Sequence, residues 1–302
     1  MDLLPLVAGV ELGGTKSIAV VARGRDVVAE ARWPTGKPEE TLRGIANWIA
    51  MSAPEAIAAL GVASFGPLCL DPARAEFGCI TKTPKPLWSG TPVRGYFASR
   101  FAVPVGFDTD VTGAALAEER WGASAGCDVH VYVTVGTGVG AGIVVGGKVV
   151  HGRIHPEAGH LRVRRSPGDD FAGLCPFHGD CLEGLVSGPA IAARAGVPAD
   201  RLAPDHPVWD RVADELAELM TMLILGLSPQ GIAIGGGVMQ NRPALLPRIR
   251  ARTLDLLGGY VVAIDAETLD DMIVPPGLGA DAGPLGAVAL ALDAAERHAR
   301  AP

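Results

Sequence analysis

The sequence has no long run of Lys or Arg, and its formal net charge is −7. That balance argues against nucleic acid or an anionic membrane as the main partner. No stretch approaches the roughly 18 apolar residues that a membrane-crossing helix needs. The run 219–227 falls well short and sits in a helical pattern. No cation precedes Lys16, and no cleavage site follows the apolar start, so a buried first strand is expected rather than a signal peptide. Cysteine is sparse. Of the five, Cys69, Cys79 and Cys127 are scattered, which excludes a disulfide framework and points to a reducing, cytoplasmic setting. Two common nucleotide loops are also missing: no GxxxxGK[ST] and no GxGxxG opens a helix.

What the chain does have is a dense group of soft ligands between His155 and Glu183. His160, Cys175, His178 and Cys181 offer two imidazoles and two thiols, the donor set of a closed tetrahedral zinc site. Gly173, Pro176 and Gly179 suit a loop that curls three of these donors toward one ion. His155 is an alternative to His160 as the fourth ligand. Glu157 and Glu183 flank the knot, and a structural zinc needs neither, so the knot is expected to support a binding site.

At 302 residues with 48% hydrophobic content, the chain is long enough for two α/β lobes. Leu6–Leu12 reads as a strand that stops at Gly13-Gly14-Thr15-Lys16, and Ser17–Ala22 resumes as a second strand. Such a hairpin exposes backbone N–H groups and one ammonium, a cradle suited to phosphate. Val27–Pro34 is expected as a third strand, Pro38–Ser52 as a helix facing inward through Leu42, Ile45 and Ile49, and Leu60–Phe65 as a strand ending at Gly66-Pro67. The TKTPKPLW segment reads as a loop over a cleft with an exposed-looking Trp88, although a loop tryptophan more commonly packs inward. Val103–Phe107 is expected as a strand ending in Asp108-Thr109-Asp110, with a helix over Val111–Trp121. An aspartate there could simply cap that helix. Asp108 and Asp110, taken in an extended strand, would face the same side.

The same grammar then repeats. His130–Val135, the turn Gly136-Thr137-Gly138-Val139-Gly140 and Ala141–Val145 form a second strand–turn–strand unit. Helices are expected from Ser187 and over Pro207–Leu227, Pro243–Leu257 and Gly283–Ala299. Gly231–Ile234 is expected as a strand ending in Gly235-Gly236-Gly237, and Val261–Ile264 and Met272–Pro275 as short extended pieces.

Two such hairpins joined by a strand-to-helix aspartate resemble the α/β, two-lobed actin/hexokinase-like (ribonuclease H-like) ATPase fold. With the zinc-binding loop added, the chain resembles the ROK family of repressors and sugar kinases. Six segments carry the likeness in order: GVELGGTK, DTDVTGAALAE, TVGTGVGAG, Glu157-Ala158-Gly159-His160, CPFHGDCLE and IAIGGGVM. Glu11, the DTD triplet and the histidine between the two cysteines resemble the fructokinase branch. Glucokinase-like members read NDAN where this chain has TDVT. Thr112 departs from a common asparagine, and Glu11 from the more usual aspartate.

The resemblance implies an ATP-dependent kinase that phosphorylates fructose at O6 and uses Mg²⁺ and Zn²⁺. Asp110 would be the general base. Gly13, Gly14, Thr15, Lys16, Gly136, Thr137, Gly138, Pro189, Gly235, Gly236 and Gly237 would serve the nucleotide, the glycines near adenosine allowing close approach. Gly66, Pro67, Thr109, Asp110, Glu157, His160 and Glu183 would serve the sugar, and His160, Cys175, His178 and Cys181 the zinc. The lobes are expected as 1–111 with 284–302, and 112–283, and the protein as a homodimer. Zinc would orient Glu157, His160 and Glu183 toward the sugar, and its loss is expected to raise KM for sugar and lower thermal stability while changing nucleotide affinity much less. Competing readings are a kinase for glucose, mannose or N-acetylmannosamine, a sugar-responsive transcriptional regulator, and a non-catalytic binding module. A regulator would carry a helix-turn-helix ahead of the first strand, which begins at Leu6. A binding module could dispense with Asp110.

Overall fold

The computed structural model describes residues 4–166 and 168–300. Its strands are β1 (Leu6–Leu12), β2 (Lys16–Arg23), β3 (Asp26–Pro34), β4 (Ala59–Ser64), β5 (Val105–Thr109), β6 (Val129–Val135), β7 (Val139–Val145), β8 (Lys148–Val149), β9 (Gly231–Gly235) and β10 (Ile273–Val274). Its helices are α1 (Pro38–Ser52), α2 (Val93–Phe101), α3 (Asp110–Trp121), α4 (Leu182–Val186), α5 (Gly188–Ala195), α6 (Val208–Leu227), α7 (Gly237–Asn241), α8 (Leu245–Leu257), α9 (Ala266–Met272) and α10 (Ala282–Ala299). The chain forms two compact units. The first runs through Gly122 and adds Val149–His155 and the chain from Ala280; the second is Ala123–Lys148 with Pro156–Gly279. Helix α3 therefore goes with the first unit, where the sequence reading placed a lobe boundary at 111/112.

In the first unit the sheet order is β3-β2-β1-β4-β5. β1, β2 and β3 pair antiparallel, whereas β1, β4 and β5 run parallel. Gly9, Gly61 and Gly106 align across the three parallel strands. A Cβ on Gly61 would lie 1.9 Å from the Ala287 carbonyl oxygen, and one on Gly106 would lie 2.2 Å from that of Leu290. This row without side chains lets α10 descend onto the sheet. Helix α3 crosses α10 equally closely, since a Cβ on Gly286 would sit 2.4 Å from the Gly113 carbonyl carbon. Side chains on one face of a strand recur every second residue. Glu11, Ala63 and Asp108, in register two residues beyond the glycine row, thus share the face that α10 and α3 cover.

The second unit repeats the design. Its sheet order is β10-β9-β6-β7-β8, with β6 and β7 antiparallel and β9 parallel to both β6 and β10. Helix α6 supplies much of the core through Val212, Leu216, Leu219, Met220 and Leu223.

Several sequence expectations change. Trp88 is fully buried, donates its indole N–H to the Gly36 carbonyl at 2.9 Å, and meets Phe65 edge-on at 5.3 Å. Trp88 thus packs inward, while Pro84, Pro86 and Leu87 of the same segment lie at the surface. Val261–Ile264 is turn, not strand, and α9 follows it. Helices α2, α4, α7 and α9 are new relative to the sequence reading. They are short or weakly amphipathic, so periodicity gives them little signal.

Candidate functional site

The carboxyl ends of β1, β4 and β5 lie side by side, with Leu12, Ser64 and Thr109 in register. Open α/β sheets place ligands at this edge. Here it presents the first hairpin turn, the cis Gly66–Pro67 bond and the start of α3. The turn is closed by Gly13 N–H donating to the Lys16 carbonyl at 3.1 Å. It is held from the side by Thr35, whose hydroxyl donates to the Gly13 carbonyl at 2.7 Å and whose N–H donates to the Thr15 carbonyl at 2.9 Å. Gly14, Thr15 and Lys16 are exposed at the tip.

The strand ends at Thr109, so Asp108 and Asp110 do not share one extended face. Thr109 is the N-cap, its hydroxyl accepting from the Thr112 N–H at 3.1 Å, and its Oγ1 lies 2.7 Å from that of Thr112. Thr112, which departs from the resemblance, thus belongs to the cap. Asp110 is the first helical residue, and its carboxylate accepts from the Val111 N–H at 2.9 Å and from its own backbone N–H. Burial raises its pKa to about 6. Asp108 is spoken for: its Oδ1 accepts from the Thr109 N–H, and its Oδ2 lies 2.7 Å from His151 Nε2. His151 Nδ1 lies 2.9 Å from the Val150 carbonyl, and the Asp108 hydrogen bond raises the imidazole pKa. Glu11 is pushed up to about 7 by burial first and by Asp110 second, with Lys16 opposing. Gly283, at the start of α10, leaves the room that this carboxylate fills. His151 was missed by the sequence reading, since no motif marks it.

In the second unit, Gly136 N–H donates to the Gly138 carbonyl at 2.9 Å and closes the second turn. Gly188, at the start of α5, donates to the Gly136 carbonyl at 2.7 Å. A cleft of about 340 Å³ opens beside this turn, lined by Gly136, Thr137, Gly188, Pro189, Gly237 and Asn241, with Trp209 and Arg242 forming a further wall. Its volume falls in the range of a small-ligand site. Arg242 lies over the Trp209 ring at 5.1 Å and donates to the Leu202 carbonyl at 2.8 Å. Gly188, Trp209, Asn241 and Arg242 were not among the expected residues.

The three glycines after β9 do different work. A Cβ on Gly235 would meet Pro276 at 2.6 Å, and one on Gly236 would meet the Val135 carbonyl oxygen at 2.4 Å. Those two are required by packing, and Gly236 also has a φ of 88°. Only Gly237 lines the cleft.

The soft ligands do converge. One atom each from His160, Cys175, His178 and Cys181 lies within 4.8 Å of the others. His160 Nδ1 is 3.4 Å from Cys181 Sγ and 3.8 Å from Cys175 Sγ, and His178 Nδ1 is 3.6 Å from Cys175 Sγ. Tetrahedral zinc with its usual bond lengths would separate N and S donors by about 3.6 Å, so the four residues fit that ion. His155 is not in the cluster; its Nε2 accepts from the Leu68 N–H at 3.0 Å. Burial pushes the Cys181 thiol up to about 11, with Cys175 adding to it. A cation would draw such thiols into the thiolate form. Paired backbone bonds between Cys175 and Gly179, at 3.1 and 2.9 Å, fold the loop tightly, and Gly179 has a φ of 65°. An ion-pair network anchors it: Arg165 meets Asp169 at 2.7 Å and Asp180 at 3.5 Å, and the buried Arg194 of α5 meets Asp169 and, at 2.8 Å, Glu215 of α6. Glu157 is half-buried just before His160.

Glu183 lies in the first turn of α4, two residues after Cys181. Its Oε2 accepts from the Val139 N–H at 3.0 Å.

A model of the ROK family matches residues 7–294. A fructokinase from Zymomonas mobilis is 44% identical over 292 residues, covering 94% of this chain and 96% of the relative. A fructokinase from Pediococcus pentosaceus is 38% identical over 287 residues, covering 95% and 97% respectively. Among solved structures, a ROK family glucokinase from Streptomyces griseus in complex with glucose and AMPPNP aligns with a TM-score of 0.76 at 26% identity, over 95% of this chain and 99% of that one.

Proposed function

Since the chain belongs to the ROK family, we propose that it is an ATP-dependent fructokinase, forming ADP and fructose 6-phosphate, with Asp110 as its general base. The observation that carries this reading is the contrast between two neighbouring aspartates. Asp108 is engaged by the His151 side chain, whereas Asp110, at the carboxyl edge of the parallel strands, is met by backbone N–H groups of the helix start and has a pKa near 6. A general base works best when its pKa lies near the operating pH.

Asp110 takes the proton of the sugar 6-hydroxyl as that oxygen attacks the γ-phosphorus and the bond to ADP breaks. Phosphoryl transfer asks the protein mainly for positioning and charge neutralisation. Gly14, Thr15, Lys16, Thr137 and Gly138 are the residues of the two glycine turns that supply donors to the phosphates. The cleft lined by Pro189 and Gly237 takes adenosine. Gly66, Pro67, Thr109, Glu157 and His160 bind the sugar; the zinc-facing nitrogen of His160 is Nδ1, which leaves Nε2 for a hydroxyl. Mg²⁺ would neutralise phosphate charge, and Glu11 is the residue that would hold it through water. His160, Cys175, His178 and Cys181 would hold zinc, which fixes the loop and takes no part in the transfer. A cytoplasmic homodimer completes the reading. Among the described residues no helix is long and apolar enough to cross a membrane.

Coupled ADP-release assays with fructose, glucose, mannose, N-acetylmannosamine and allose at equal concentration test the proposal. Fructose is expected to show the highest kcat/KM. A clear lead for glucose or N-acetylmannosamine would move the chain to another branch of the family.

A further inference from the structure

We propose that Glu183 is a positioning residue for the second phosphate hairpin, holding Val139 so that the zinc loop and the nucleotide-binding turn form one rigid piece. The inference rests on the kinase reading above and gives this carboxylate a task distinct from the sugar contact that the family resemblance implies.

Three contacts meet at the base of the hairpin. The Val139 N–H, at the first position of β7, donates to Glu183 Oε2 at 3.0 Å. The Val139 carbonyl lies against Gly159, where a Cβ would sit 1.9 Å from the oxygen. A Cβ on Gly138 would stand 2.7 Å from Glu183 Oε2, with no other atom within 4 Å except the Glu183 Cδ at 3.6 Å. Gly138 therefore leaves space for the Glu183 carboxylate in particular. Glu183 is two residues from the ligand Cys181, and Gly159 is next to the ligand His160. Both sides of Val139 are thus gripped by segments whose course the metal cluster fixes.

The Gly136 N–H closes the turn on Gly138, and the Val139 N–H is taken by Glu183. The amides of Thr137 and Gly138 remain for a phosphate. A backbone cradle binds well only when its donors are already aligned, because aligning them at the moment of binding costs entropy. The brace supplies that alignment. It follows that zinc loss also weakens nucleotide binding, by more than the sequence reading alone expects.

The test measures AMPPNP binding by calorimetry without sugar, together with hydrogen exchange at the Val139 amide. Wild type, Glu183→Ala and Glu183→Gln are compared, each checked for fold by circular dichroism. A hydrogen bond to a charged acceptor corresponds to about a tenfold to hundredfold change in binding, so Glu183→Ala should weaken AMPPNP by that range and speed exchange at Val139. Glu183→Gln keeps an acceptor oxygen and should restore slow exchange and most of the nucleotide affinity. Chelating zinc from wild type should reproduce the alanine phenotype. The proposal is overturned if Glu183→Ala binds AMPPNP as wild type does, with unchanged exchange, and loses only fructose binding. If wild type fails to bind AMPPNP while Glu183→Ala still speeds exchange at Val139, the brace stands and the kinase reading falls.

Discussion

The two sheets are built on one plan and differ in what supports their hairpins. Read outward from the first strand of each, β3-β2-β1-β4-β5 corresponds to β8-β7-β6-β9-β10. In the first unit the third strand has 9 residues, and the chain leaving it returns to the turn, where Thr35 bonds the Gly13 and Thr15 carbonyls. In the second the third strand has only 2 residues and cannot reach that far. The loop carrying the Cys/His cluster follows instead; the Gly188 N–H takes the Gly136 carbonyl, as the Thr35 hydroxyl takes that of Gly13, and Glu183 adds an acceptor for the Val139 N–H. A long strand is stabilised by its own ladder. A loop poor in apolar residues relies instead on ion pairs such as Arg165–Asp169, and a metal held by the Cys/His cluster would add to its rigidity. The parallel strands diverge as well: β5 leads through Thr109 into Asp110 and a helix, while β10 leads into Pro275-Pro276. One sheet carries a titratable carboxyl group at that edge; the other carries two residues with no backbone N–H and no titratable side chain.

That asymmetry is tested most severely at the strand ends. Asp110→Asn keeps the shape and the first turn of α3 but removes the base, so turnover should fall by about 10²–10⁴ with fructose affinity nearly unchanged. Pro275→Ala, at the equivalent place, should alter turnover by less than about twofold, as a substitution away from the chemistry does. If Asp110→Asn kept its turnover and Asp108→Asn lost it, the assignment would pass to Asp108. The acid limb gives a second measure: with its pKa near 6, Asp110 is an active carboxylate above that value, so kcat/KM should fall about tenfold per pH unit below it. The stability sign is opposite. Raised from 3.8 to about 6, the carboxyl costs the fold nothing while protonated, a growing amount as pH rises between those values, and the full amount above. Asp110→Asn should therefore melt higher than wild type at pH 8 and at about the same temperature near pH 4.

Next in size is the metal. Cys181→Ser, or chelation, should lower the melting temperature by on the order of 5–10 °C and raise KM for fructose. Elemental analysis should find about one zinc per chain, as one four-ligand site requires. Protein isolated without bound metal, yet fully active and equally heat-stable, would remove the distinction between the two hairpin supports.

The fold of the first unit has its own weak point. Gly61→Val drives side-chain atoms into the Ala287 carbonyl, and neither backbone can yield without lifting α10 from the sheet. Overpacking of this kind should cost about 3 kcal/mol in denaturant unfolding. The smallest effect is expected at the first hairpin: Thr35→Val removes the neutral hydrogen bonds of one hydroxyl to the Gly13 carbonyl and to the Ser17 hydroxyl and should cost about 1–2 kcal/mol, with a modest loss in nucleotide affinity. A larger loss than that from Glu183→Ala would reverse the ranking of the two supports.

Sequence alone was enough for both hairpins, the ligands of the soft cluster, the long helices α1, α6 and α10, and the strand-to-helix aspartate. Each is written locally, as a period of apolar residues, a glycine turn or a ligand spacing within about 20 residues. The choice between His160 and His155, and between Asp110 and Asp108, was not settled by spacing. The structure adds partners distant in the chain that spacing does not reveal: Leu68 engages His155, and His151 engages Asp108. The same holds for the three glycines after β9, which look alike in sequence and divide only when Pro276 and Val135 are seen against them. Local sequence fixes backbone preference and donor type. Which donor is already occupied is decided by tertiary contacts, because a hydrogen bond is satisfied by whatever group folding brings within about 3 Å.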